Sequence, residues 1–163
     1  VTIRENFTDP EWTLLREAPQ AVAAAVTVVG ASGIGGTVKE AFSIASTMVE
    51  SQSHANELIR ALSTKAEVQA ANQGLKEKLS QVENPDVETV RMMSLNAVKN
   101  ALNVLSEKSP GDVAAYKEWI SMVAQNVAQA AKEGGFLGFG GERVSQKERE
   151  LIAELSAVLD LPP

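Results

Sequence analysis

Cysteine is absent from this chain and histidine occurs once, as His54. The first absence excludes disulfides, thiol nucleophiles and thiolate metal sites. The second leaves no pair of imidazoles for a metal within one chain. It also makes His54 the sole base for a serine triad, and no G-x-S-x-G elbow presents a serine to it. Basic residues are in deficit, with 15 Lys and Arg against 21 Asp and Glu for a net charge of −6. Binding to a phosphate backbone rests on a basic face, so no nucleic-acid partner is expected. Aromatic residues are only 4% of the chain, so any local cluster of them stands out. Period-two alternation bounded by hairpin turns is also missing, which leaves little room for strands.

Long apolar runs are scarce. No charge occurs from Ala18 to Val38, a stretch long enough to span a bilayer, but Pro19, Gln20, Gly30, Ser32, Gly33, Gly35 and Gly36 interrupt it. A buried helix followed by a glycine-rich turn is expected there, and no membrane span. The opening VTIRENFTDPEW has mixed charge and no apolar core, unlike a secretory signal. A cytoplasmic location is the expectation.

What the chain does contain is helical periodicity. With 163 residues, 44% of them hydrophobic and 22% charged, it has the make-up of one globular domain over residues 1–163. A first helix is expected from Asp9-Pro10-Glu11, with Asp9 as cap, and Pro19 either kinks it or opens a second helix to Val29. Val38, Phe42, Ala45 and Val49 form one apolar stripe, continued by Ala55, Leu58, Leu62 and Ala66. Between these two stripes, residues 50–54 read as a polar joint. Val68, Ala71, Leu75, Leu79 and Val82 follow at heptad spacing despite Gly74, and Asn84-Pro85 ends the run. Residues 37–83 fit one helix or two. Pro85 to about Glu107 reads as a helix, with a turn at Ser109–Asp112. Val113, Tyr116, Ile120, Val123, Val127 and Ala130 make the cleanest stripe, running to Lys132. A capping box at Ser145–Glu148 opens a last helix carrying Leu151, Ile152, Leu155 and Leu159. The expected fold is all-α: a bundle of four to five antiparallel helices, with a C-terminal helix after a Gly/Phe-rich loop.

Four patterns are candidates for function. Gly30, Gly33 and Gly36 have the spacing of a dinucleotide-binding turn, but more helix follows where that motif requires a second strand, so no cofactor is expected. Glu50, His54 and Glu57 fall at i, i+4 and i+7, yet a single histidine cannot complete a di-iron set, so no metal is expected either. Met92, Met93, Trp119 and Met122 are candidate walls of an interhelical ligand pocket. The fourth pattern is Gly134, Gly135, Phe136, Leu137, Gly138, Phe139, Gly140, Gly141 and Arg143, five glycines around three large apolar residues with a cation beside them. Such a segment can plug the end of a bundle, dock a partner, or form an anion-binding nest of backbone N–H groups.

Residues Ala130 to Ser145, AAKEGGFLGFGGERVS, resemble the C-terminal signature of a group of uncharacterised bacterial all-helical proteins. Phe7 to Pro19, FTDPEWTLLREAP, is similar to their opening. The resemblance covers under a fifth of the chain and implies a recurring bacterial module, with no activity, cofactor or catalytic residue to carry over. The functional expectation is a non-catalytic protein-interaction or assembly module, a homo-oligomer or bound to a protein partner. A bundle holding a small ligand in an interhelical pocket is the alternative.

Overall fold

The computed structural model describes residues 2–30, 55–132 and 146–161. Among these there are six α-helices and no strand, so the all-α bundle expected from periodicity is the fold observed. A 3-10 turn, Ile3–Asn6, leads into α1, Asp9–Gly30. Next come α2, Glu57–Leu62, and α3, Lys65–Ser80. Helix α4 spans Val87–Lys108, and a short 3-10 turn, Pro110–Asp112, joins it to α5, Val113–Lys132. The last helix, α6, is Gln146–Leu159.

The start of α1 is set one residue earlier than the cap expected at Asp9. Thr8 is the cap: its hydroxyl accepts the Glu11 N–H at 3.4 Å, and the Glu11 carboxylate accepts the Thr8 N–H at 2.8 Å. Asp9 is instead an ion-pair partner of Arg4. Phe7, just before the cap, packs its ring 5.9 Å from that of Trp12 in the first turn. Cap and apolar contact together form a capping box with its hydrophobic staple.

Pro19 neither ends nor divides α1, which runs unbroken through it. Proline has no N–H to give the carbonyl four residues back, that of Leu15. Here the Tyr116 hydroxyl of α5 donates to the Leu15 carbonyl at 2.8 Å, supplying from another helix the bond that Pro19 cannot make. Further along, every residue from Glu17 through Val29 is buried. A helix buried on all sides must be surrounded, and α3, α4, α5 and α6 all pack against it. Ala18, Ala21, Ala23, Ala24 and Ala25 let those neighbours approach closely, and Thr27 satisfies its hydroxyl on the Ala23 carbonyl at 2.8 Å.

Two other breaks differ from the expected pattern. The stripe Ala55–Leu58–Leu62–Ala66 is not one helix, because Ser63 closes α2 and Thr64 caps α3 through the Glu67 N–H. Helix α3 also ends at Ser80, before Asn84-Pro85, which leaves Val82 outside it and 39% exposed. Asn84 lies in the left-handed region at φ 52°, and Asp86 caps α4 by accepting the Thr89 N–H at 2.8 Å. Ion pairs tie the outer helices to the axis: Arg16 to Glu67 at 3.2 Å, and Glu11 to Lys108 at 3.4 Å.

Gly74 sits inside α3 with a reason that only packing supplies. A Cβ at this position would fall on Oε1 of Glu17 from α1. In an ordinary helix Gly→Ala gains about 0.5–1 kcal/mol. Gly74→Ala is expected to forfeit that gain, because the Glu17 carboxylate must move aside to admit the methyl group. Gly111, where an added Cβ meets nothing within 4 Å, is the control. Urea unfolding of the two variants is the check, with Gly111→Ala close to wild type.

Candidate functional site

Helix α1 changes character at Glu17, where an amphipathic first half gives way to the fully buried second half. This carboxylate is therefore placed at the edge of the core, and its side chain is only 5% exposed. One oxygen, Oε1, lies against the backbone of Gly74. The other, Oε2, accepts from Nζ of Lys78, one turn further along α3. Lys78 is half exposed, with 52% of its side chain open to water. The pair thus has a buried anion and a cation reaching in from the surface.

This ion pair lies in a groove of about 420 Å³ between α1, α3 and α4. Leu14 and Glu17 line it from α1, and Leu75 and Lys78 from α3. From α4 come Thr89, Met92, Met93, Asn96, Ala97 and Asn100, whose spacings of three and four put them on one helix face. The volume falls within the roughly 300–1,000 Å³ of small-molecule sites, which combine apolar walls with a few placed polar groups. Met92 is 43% exposed, in a set of three exposed large hydrophobics completed by Val82 and Met122 among the described residues.

A second, wider groove of about 730 Å³ lies where the C-terminal end of α1 meets α4 and α6. Its lining is mainly charged: Asp86, Glu88, Glu150 and Glu154 with Arg91 and Lys147, beside Val29 and Val87. Arg91 joins Glu88 on its own helix to Glu154 on α6, and these two carboxylates push its guanidinium above the ordinary arginine value. The Asp86 carboxylate takes the Thr89 N–H and hydroxyl, which hold it below the usual aspartate value. Glu150 accepts from the Gln146 side-chain amide at 3.0 Å, so all four carboxylates are engaged within the bundle, and the Arg91 clasp reads as a link between α4 and α6. Among the described residues no three His, Asp or Glu side chains are grouped to hold a metal ion.

The candidate residues named from sequence are distributed unevenly. The nine from Gly134 to Arg143 lie outside the described residues, as do Glu50, His54, Gly33 and Gly36. Gly30 closes a helix, whereas a dinucleotide fingerprint follows a strand. Glu57 opens α2 behind an extended Asn56 cap, so it does not continue a helical face from Glu50. Of the four pocket candidates, Met92 and Met93 do line the groove. Trp119 is instead fully buried in the core, and Met122 is exposed on α5, away from that lining.

Glu17, the groove's central polar residue, was not among the sequence candidates. Two signals pointed to it: it is the last charge before the long uncharged stretch, and Gly74 is an unexplained glycine inside a helical stripe. Neither signal names the other, because the two residues meet only in the folded bundle. No helix among the described residues is long and apolar enough to cross a membrane. No family model, curated protein or solved structure matches this chain.

Proposed function

We propose that this chain is a helical binding module of the cytoplasm whose α1–α3–α4 groove takes a small amphipathic ligand. The observation that supports this reading is the Glu17–Lys78 pair on the groove wall, a nearly buried carboxylate held by a half-exposed lysine. A carboxylate withdrawn from water at the edge of an apolar core is costly unless it is paired, which makes a charge in this place a candidate for recognition. Methionine walls suit the same role, since their unbranched, polarizable side chains adapt to an irregular guest.

A protein-assembly role is the second reading, with another copy of the chain or a different protein docked on residues 134–143. Its support is compositional: Phe136, Leu137 and Phe139 stand among five glycines in a chain with 4% aromatics. Native followed by denaturing mass spectrometry of freshly purified protein separates the two readings. The ligand reading expects a discrete extra mass that is lost on denaturation. A bare, defined oligomer would contradict it and favour assembly; a bare monomer would count against both.

A further inference from the structure

We infer that the α1–α3–α4 groove recognises a small apolar primary amine, whose ammonium takes the place of Lys78 Nζ on the Glu17 carboxylate. This rests on the ligand reading of that groove and names the chemistry of its guest. Glu17 is the one carboxylate in the lining and Lys78 the one cation, and each is matched by the other. An anionic guest would meet Glu17 with no cation to spare for it. A cationic guest restores the pair that it displaces, ammonium for ammonium, with the hydrogen bond conserved.

The geometry suits that exchange. Glu17 Oε1 lies in the space a Cβ at Gly74 would occupy, and Oε2 accepts from Lys78. The lysine is the movable partner, since 52% of its side chain is in water and its ammonium can be rehydrated when it swings out. Asn96 and Asn100 add amide oxygens to the same groove, and Met92 and Met93 add an apolar surface for the guest's body. A nearly buried anion, a half-exposed cation and soft apolar walls are thus gathered within one groove.

Lys78 competes as a tethered ligand, with an effective concentration roughly in the millimolar range. Removing it is expected to strengthen amine binding rather than abolish it. Isothermal titration of octylamine, octanoate, octanol and octyltrimethylammonium, below their micellar concentrations, tests this on wild type, Lys78→Met and Glu17→Gln. The expected result is octylamine binding to wild type, binding at least tenfold tighter to Lys78→Met, and loss of binding in Glu17→Gln. Octyltrimethylammonium, which has the charge but no N–H, is expected to bind at least tenfold more weakly than octylamine. Should Glu17→Gln fail to fold, the rise in melting temperature of Lys78→Met with octylamine but not with octanol is the substitute readout. Octanoate or octanol binding as tightly as octylamine would overturn the amine inference and leave the groove reading in place. If none of the four binds wild type or Lys78→Met, both fall.

Discussion

Trp119→Ala is expected to lower the unfolding free energy by about 3–5 kcal/mol, the range for removing a large buried aromatic. Trp119 is completely buried on α5, and its ring stands edge-on to Tyr116, with centroids 5.7 Å apart and planes at 74°. Such edge contacts add about 0.5–1.5 kcal/mol beyond area burial. The void left by alanine would open in the bundle core, whose alanine-rich axis has little side-chain bulk to move in. Trp119→Phe separates volume from polarity. The indole N–H is buried with no hydrogen-bond partner among the described residues, so phenylalanine removes a donor that gains nothing. Its cost is expected to be well under half that of alanine. Denaturant unfolding measures both, and an unchanged midpoint for Trp119→Ala would show that Trp119 is not packed in the core as described.

The second large effect couples two residues far apart in sequence. Tyr116→Phe removes the donor to the Leu15 carbonyl, which Pro19 cannot serve, and leaves a buried acceptor unsatisfied at a cost of about 1–3 kcal/mol. Pro19→Ala supplies a backbone N–H at the correct spacing for that carbonyl. In the Pro19→Ala background, Tyr116→Phe should therefore cost about 1 kcal/mol less, and a double-mutant cycle reads the difference. Zero coupling would mean that the two groups do not share the carbonyl. The same hydroxyl has a pH consequence. Burial pushes Tyr116 well above its ordinary value, whereas an unfolded tyrosine ionises near about 10. Above that pH the unfolded chain releases a proton that the folded chain keeps, so stability falls as pH rises. Tyr116→Phe should lack this component of the alkaline loss.

Helices with one clean stripe were legible from sequence. Val113 to Lys132 appears as α5 with Tyr116, Ile120, Val123 and Val127 buried as expected, because an amphipathic helix carries its own instructions at a spacing of three and four. What was illegible depended on contacts between distant residues. Local chemistry marks Pro19 as a break, and the donor that lets α1 continue comes from Tyr116, on another helix. The gap between α2 and α3 was hidden because the apolar positions stay in phase across Ser63 and Thr64, although Thr64 and Glu67 have the spacing of a cap. At the start of α1, Thr8 and Asp9 are both good caps, and Glu11, three residues after Thr8, was the deciding signal.

The groove follows the same division. Met92 and Met93 were readable as candidate walls because adaptable methionine side chains suit an apolar pocket. Glu17, Gly74 and Lys78 were not readable as a unit, since the carboxylate is on α1 and the glycine and lysine are on α3. A glycine tolerated inside a helix and a charge at the edge of an apolar stretch are each ordinary alone. Together they describe a carboxylate seated in a backbone notch.

The most direct test of the groove as a binding site is methyl NMR on protein labelled at its methionine methyl groups, titrated with octylamine. Met92 and Met93 line the groove and Met122 lies outside it, so the chain carries its own control. The account predicts saturable shifts of the Met92 and Met93 methyl resonances while Met122 stays in place. Shifts confined to Met122, or equal shifts at Met92, Met93 and Met122, would contradict it.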